Sequence, residues 1–518
     1  WKTNDMLVKT FSSAVNGIAA TTITIEVNLS RGINFHMVGL PDSAVKESQL
    51  RIKAAFINNN FKFPGFEITI NMAPADIRKE GSVFDLPIAV GILAVSEQIQ
   101  CETLTDFVMV GELSLDGALN GVKGILPIVL QAKEEGFKNV IVPSENWEEA
   151  AVVNGINVFH FEQLMEVVDF LNDVTSVKPA FLDIQSKFEQ HAYDSAIDFK
   201  DVKGQQNIKR AFEIAAAGGH NVVLIGPPGA GKSMLAKRFP TILPPMTLEE
   251  ALETTKIHSV AGKVKGKIGL VTQRPFRKPH HSISEVALVG GGGVPQPGEF
   301  SLAHNGVLFL DELPEFKRNA LEVMRQPLED RVISISRAKY SIDFPATVLL
   351  IGAMNPCPCG YYNHPDKLCS CSSVTIMNYM NKISGPLMDR IDLHIEVTPV
   401  SYADLASKAE TENSESIRAR VIQSRLRQVQ RFEDLPQIHC NAMMDAPQIR
   451  TYCQLDDSGN KILQTAMERL GLSARAYDRI LKVARTIADL DLSNRIEVKH
   501  IAEAIQYRSL DKSDWLKD

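Results

Sequence analysis

Seven cysteines in 518 residues are too few for a disulfide-stapled secreted scaffold of this length. No apolar run comes near the roughly 20 residues needed to cross a bilayer; the longest, Leu86 to Val95, is about half of that. Nor does a basic n-region followed by an apolar h-region open the chain. These absences predict a cytoplasmic protein with no membrane partner. Neither sign of charge dominates. Against 62 Asp plus Glu stand 55 Lys plus Arg, a net charge of −7, so any contact with nucleic acid must come from local basic patches. Internal repeats and long low-complexity tracts are missing as well, so organisation has to be read from changes of pattern along the chain. What is left, 44% apolar and 23% charged, is ordinary globular usage. At roughly 150 residues per domain it should hold about three domains.

Met6 opens a strand-like run, Met6–Phe11, and residues 1–5 are set aside as lying upstream of the fold. From 6 to 172, short β-runs such as Ile23–Val27 and Glu67–Ile70 alternate with helical stretches such as Asp42–Asn58, which predicts an α/β domain. Residues 173–199 lose that period and read as a linker with one short helix. A second α/β region is expected over 200–400, where the buried-strand run Asn221–Ile225 leads through glycines into the helical Ser233–Phe239. Strands vanish from Tyr402 onward. The stretches Ser414–Phe432, Gly459–Leu470, Ser473–Ala488 and Val498–Tyr507 have helical spacing, so 401–518 is predicted to be an α-helical lid.

The strongest chemical signal is Gly226-Pro227-Pro228-Gly229-Ala230-Gly231-Lys232-Ser233, a full GxxxxGK(S/T) match lying after a strand and before a helix. Glycines let backbone N–H groups converge on a phosphate, Lys232 reaches the β and γ phosphates of ATP, and the Ser233 hydroxyl can ligate Mg²⁺. Downstream, Val307–Leu310 ends in Asp311-Glu312. This supplies one carboxylate for the Mg²⁺ shell and a second to activate the attacking water.

Four further segments carry charge or metal-ligand chemistry. Between Glu329 and Ala346, alternating residues flank Arg337-Ala338-Lys339 and read as a β-hairpin with a basic tip; such a tip is either a DNA-backbone contact or simply solvated. Arg274, Arg277, Lys278, His280 and His281 form a compact basic segment that could touch DNA or the nucleotide. Arg418, Arg420, Arg425, Arg427 and Arg431 sit in one amphipathic helix and read as a solvated face, while Gly290–Gly293 lacks a strand-to-helix setting and reads as flexible backbone. The remaining cluster is Cys357, Cys359, Cys369 and Cys371, a C-x-C…C-x-C pattern directly after Asn355. In a reducing compartment four close thiols favour tetrahedral Zn²⁺ over disulfides; unmetallated thiols, another metal, or His364 in place of one thiol are the alternatives.

Taken together, the phosphate loop, Leu308–Glu312, Asn355 after Val348–Ala353, and Ser384-Gly385-Pro386-Leu387-Met388-Asp389-Arg390-Ile391-Asp392 resemble the magnesium-chelatase-like AAA+ ATPases. Arg274–His281, Gly298–Gly306 and Ala484–Leu490 resemble a competence-associated bacterial branch of that family. The resemblance implies that Asn355 holds the lytic water as sensor 1, that Arg390 is an arginine finger serving a neighbour, and that Arg475 is sensor 2. It further implies a hexameric ring whose pre-sensor 1 hairpins, carrying Arg337 and Lys339, line the pore. An ion pair of Arg390 with Asp389 or Asp392 is the alternative for that residue. Lys79–Pro87 and Gly111–Gly117 resemble the Lon-protease-like fold, but the alignment puts Val83 at the nucleophile and Leu126 at the catalytic lysine. Proteolysis would then need a shifted pair of Ser82 with Lys79 or Lys123. The resulting expectation is an ATP-driven ring motor on DNA that promotes branch migration in natural transformation and recombination, with a chelatase-type motor remodelling a protein partner as the alternative.

Overall fold

A ten-residue strand, β1 (Leu7–Asn16), turns through Gly17 and Ile18 and returns as β2 (Ala19–Ser30) in one antiparallel ladder, from Leu7↔Asn28 to Asn16↔Ala19. Its alternation is legible on β2, where Ile23, Ile25 and Val27 are fully buried and the residues between them are half-exposed. The computed structural model describes residues 7–184, 188, 197–264, 269–337, 340–364, 366–400, 411–435 and 437–508. They fall into two compact units, one drawn from Trp1–His191 and Leu248–Thr272, the other from Ala192–Thr247 and Gln273–Asp518.

In the first unit, β3 (Phe35–Val38), β4 (Glu67–Ala73), β5 (Phe107–Met109), β6 (Asn139–Pro143) and β7 (Asn157–Phe161) complete a seven-stranded mixed sheet in the order β3-β4-β2-β1-β5-β6-β7. Its helices include α1 (Ser43–Asn58), α2 (Asp85–Val95) and α3 (Ile125–Glu134). The long apolar run of the sequence is α2, buried on almost every side. Its one charge, Asp85, is held by a two-pronged Arg51 at 2.7 and 2.9 Å, which satisfies a carboxylate that is otherwise out of water. The helix Leu248–Val260 packs here, on α3. Its Ser259 backbone carbonyl accepts from Gly124, and its Ser259 hydroxyl donates to the buried Glu149.

The second unit is built on an all-parallel sheet. Its strands are β8 (Val222–Ile225), β9 (Phe276–Arg277), β10 (Gly306–Leu310), β13 (Val348–Met354) and β14 (Leu393–Glu396), in the order β9-β10-β13-β8-β14. Between β10 and β13 comes a hairpin of β11 (Val332–Arg337) and β12 (Tyr340–Pro345). The central strands are apolar on both faces because helices cover both. Among these helices are α4 (Gln206–Gly218) and α5 (Lys232–Arg238). The helical C-terminal region contributes α6 (Ser414–Arg431), α7 (Asp457–Leu470), α8 (Ala474–Leu490) and α9 (Val498–Gln506), and its apolar faces join the same core as the sheet. No described helix is long and apolar enough to cross a membrane.

The arginines of α6 differ from the solvated face expected of them. Arg418 donates to Thr241 O at 2.9 Å, Arg425 to Ala216 O at 3.0 Å, and Arg420 to the buried Glu213. Arg427 bonds Asn494, and Arg431 grips Asp489, whose side chain is fully buried. All five tie α6 to distant segments, and helical periodicity carries no sign of partners so far away in sequence. Gly290-Gly291 pairs with Gln296-Pro297 in a short ladder, where flexible backbone was expected.

Candidate nucleotide site and metal loop

Between β8 and α5 the chain runs through Gly226–Gly231. The amide of Gly226 still bonds Met354 O at the end of β13, so the loop starts fixed to the sheet. Gly231 has φ of 87°, a left-handed conformation that costs an L side chain about 1–2 kcal/mol. The turn leaves Lys232 and Ser233 at the carboxyl ends of the parallel strands, where open α/β sheets bind ligands.

Four of the expected residues meet there. Lys232 Nζ donates to Gly226 O at 2.6 Å, Pro227 O at 2.9 Å and Asn355 Oδ1 at 3.1 Å. Burial lowers its pKa to about 8. Ser233 Oγ donates to Asp311 Oδ2 at 2.6 Å. Glu312 follows with φ of 55°, strained for a residue with a side chain, and its carboxylate is 61% exposed. Hydroxyl and carboxylate oxygens side by side are the hard donors Mg²⁺ takes, so Ser233 and Asp311 fit that ion. Asn355 and Glu312 also border a cleft of about 430 Å³, shared with Pro358, Tyr379 and Lys382.

Two residues of the basic segment, for which contact with either DNA or the nucleotide was expected, lie at this site. Lys278 follows the edge strand β9, whose Arg277 pairs with Leu308 of β10, so it arrives beside Phe309 and Asp311. Its ammonium lies 5.2 Å from the Phe309 ring centroid and 2.8 Å from Asp311 Oδ2. Burial works against ionisation of Asp311, yet the bonds from Lys278 and Ser233 hold its carboxyl below the ordinary range. His281 Nδ1 lies 3.4 Å from Glu312 Oε2. Arg274 and Arg277 are committed elsewhere: Arg274 to the carbonyls of Pro244, Pro245 and Asn305, Arg277 to both oxygens of Glu299.

Arg390 and Arg475 do not join these groups. Arg390 is 6% exposed and turns inward, bonding Pro386 O and Glu329 Oε2, each at 2.8 Å; its ion-pair partner is Glu329, not Asp389 or Asp392. Arg475 is exposed on the first turn of α8, with no side-chain partner among the described residues. One turn later, Arg479 reaches the buried Asp392 at 2.9 Å. The hairpin forms with Arg337 opposite Tyr340; Lys339 and the Arg337 side chain lie outside the described residues.

The four cysteines converge. Their sulfurs all lie within 4.8 Å of one another, with Cys357–Cys359 at 3.3 Å, Cys359–Cys369 at 3.5 Å and Cys357–Cys369 at 3.7 Å. Zn–S bonds of about 2.3 Å in a tetrahedron give sulfur separations of about 3.8 Å, so the set fits Zn²⁺. Burial opposes ionisation of Cys359, but backbone N–H groups of Tyr361 and Ser370 bring its thiol down to about 5; burial and neighbouring thiols push Cys369 up to about 12. His364 is turned to the amides of Asp366 and Lys367. Gly360, at φ 84°, abuts the phosphate loop so closely that an added Cβ would lie 2.5 Å from Pro228 Cδ.

In the first unit, Leu126 is buried and Val83 half-buried. Ser82 Oγ donates to Glu112, whereas Lys79 Nζ is bonded to the carbonyls of Pro74 and Ile77. Ser82 therefore faces a carboxylate and not an amine.

The family described as "Magnesium chelatase, subunit ChlI" matches residues 198–405, "Subunit ChlI of Mg-chelatase" residues 25–146, and "Magnesium chelatase, subunit ChlI C-terminal" residues 411–508. The chain is 45% identical to competence protein ComM of Haemophilus influenzae, over 96% of this chain and 97% of the relative. To YifB of Escherichia coli it is 44% identical over 96% of each. A shorter likeness, 32% identity over 28% of this chain and 27% of the relative, links it to Lon protease 2 of Bacillus subtilis. The chain belongs to the magnesium-chelatase-like AAA+ family, in the group that contains ComM and YifB.

Proposed function

We propose that this protein is an ATP-hydrolysing, ring-forming motor acting on DNA, a helicase or translocase that promotes branch migration in transformation and recombination. The observation that carries the reading is the convergence of Lys232, Ser233, Asp311 and Asn355 at the carboxyl ends of β8, β10 and β13. Lys232 and the loop amides bind the triphosphate. Bound Mg²⁺, held by Ser233 and Asp311, would neutralise charge on the β and γ phosphates. Glu312 takes a proton from the attacking water and Asn355 orients that water. An arginine finger is worth about 10³–10⁵ in rate, and Arg390 serves a neighbouring protomer's nucleotide after exchanging Glu329 for phosphate oxygens. Arg475 is assigned nucleotide contact as sensor 2. One finger per seam makes the interface head-to-tail, which closes into a ring, here a hexamer. Cys357, Cys359, Cys369 and Cys371 would hold Zn²⁺, which would stiffen the loop that carries them.

DNA enters through the competence name of a relative 45% identical to this chain and through the basic hairpin tip at Arg337 and Lys339. The alternative, a chelatase-type motor that remodels a protein partner, is favoured by the descriptions of the three matching families. Glu312→Gln should abolish ATP turnover while nucleotide still binds. Arg337→Ala with Lys339→Ala should keep ATPase and lose strand displacement on forked DNA. Unchanged displacement removes the hairpin from the mechanism, and stimulation by a protein partner alone favours the chelatase-type reading.

A further inference from the structure

The loop after β9 pairs each carboxylate of the acid pair with its own basic side chain: Lys278 with Asp311 at 2.8 Å and His281 with Glu312 at 3.4 Å. Asp311 Oδ2 already accepts from Ser233 Oγ at 2.6 Å, so Ser233 and Lys278 take both lone pairs of that oxygen. The other oxygen, Oδ1, accepts the Glu312 amide at 3.2 Å, so a Mg²⁺ that takes Oδ2 beside the Ser233 hydroxyl displaces the ammonium from that oxygen. The Lys278 side chain is 39% exposed on a flexible stem and is steered by the Phe309 ring, with Pro279 holding the backbone behind it. Once displaced from Asp311 it remains a cation at the edge of a site built for a triphosphate.

Resting on the ATPase reading above, we propose that Lys278 is a second phosphate-binding lysine: it guards Asp311 and passes onto the γ-phosphate when Mg²⁺ and ATP enter, and so lets the site distinguish ATP from ADP. ADP offers no oxygen at that position, and Lys278 keeps its bond to Asp311. Two effects follow from one side chain. It raises the Mg²⁺ concentration needed to load the site, and it strengthens binding of the triphosphate alone. A charge-assisted hydrogen bond is worth about 1.5–3 kcal/mol, which converts to roughly ten- to hundred-fold in affinity.

The experiment uses the full-length protein and displacement of a fluorescent ADP by ADP or by a β,γ-imido ATP analogue, across a Mg²⁺ titration. For Lys278→Met, which keeps most of the stem and loses the charge, the preference for the triphosphate should fall at least tenfold. The Mg²⁺ needed for half-saturation should fall severalfold. Lys278→Arg should retain most of the preference, and thermal melting of both variants should match the parent, which a merely structural role would not allow. A Lys278→Met protein whose triphosphate preference stays within twofold of the parent overturns the inference while leaving the ATPase reading intact. A parent protein that binds neither nucleotide overturns both.

Discussion

Removing the guanidinium of Arg479 isolates the energetics of the segment that carries Arg390. Asp392, two residues after Arg390, is 1% exposed. One of its oxygens accepts from Arg479 at 2.9 Å and the other from the Asn221 amide at 2.9 Å; the buried His220 lies 3.7 Å away. Asn221 also bonds Arg390 O and Leu350 N, so the residue that leads into β8, the segment carrying Arg390 and helix α8 meet at one buried carboxylate. Burial keeps His220 below its ordinary pKa and therefore neutral at pH 7. Arg479→Ala leaves Asp392 without its ion partner, a loss of about 3–5 kcal/mol for a buried pair. Lys482 and Arg331 still attract it from further off, so the low end, about 3 kcal/mol, is expected, or roughly 5–10 °C in melting temperature.

The sign with pH provides a second check. Burial opposes ionisation of Asp392, but Arg479 and its hydrogen bonds hold the folded carboxyl far below the ordinary range. The parent therefore has this stabilisation in full above the ordinary carboxylate pKa and loses it only as pH falls toward the folded value. Without Arg479 the largest lowering influence is gone, and the variant's deficit should shrink as pH falls toward the ordinary carboxylate range, where its Asp392 takes up a proton before the parent's does. Adding Asp392→Asn should recover at least half. Calorimetric melting in parallel with urea unfolding measures all three. A deficit under 1 kcal/mol, or a double variant no more stable than the single, would refute the reasoning.

Other outcomes follow from the same contacts. Gly360→Ala forces a side chain into a left-handed residue against Pro228, and about 1–2 kcal/mol of strain should weaken nucleotide binding several-fold; an unchanged Kd by fluorescence titration contradicts the coupling of the two loops. Purified protein should carry one zinc per chain by emission spectrometry, and Cys369→Ser should lose it; a metal-free parent contradicts the thiolate site. Burial raises the Glu149 pKa, so the folded protein holds that proton more tightly than the unfolded chain and loses stability as pH rises above the ordinary glutamate range. Glu149→Gln should consequently improve urea stability more at pH 8 than at pH 5, and equal gains at both would contradict the assignment.

The phosphate loop was legible because its chemistry is written in consecutive residues between a strand and a helix. The cysteine cluster was legible for a related reason, since four thiols so close in sequence can meet without help from the rest of the fold. Lys278 and His281 were visible only as a basic segment, because their partners on β10 are set by the register of an edge strand two residues long. The clamp role of the α6 arginines was hidden likewise: Arg431 finds Asp489 across the helical region, and hydropathy period encodes only which face is wet. Leu248–Val260 lies in sequence after the phosphate loop, yet packs with the first unit through Ser259 and Glu149. A single buried carboxyl leaves no periodic trace.

ATP turnover by the purified protein at low ionic strength, with and without forked DNA and alongside a mass measurement of the assembly, tests the central claim most directly. A ring motor on DNA should show turnover by a multimer, raised by DNA, with the stimulation falling steeply as salt is added. Full turnover by isolated monomers, or indifference to DNA at low salt, would contradict it.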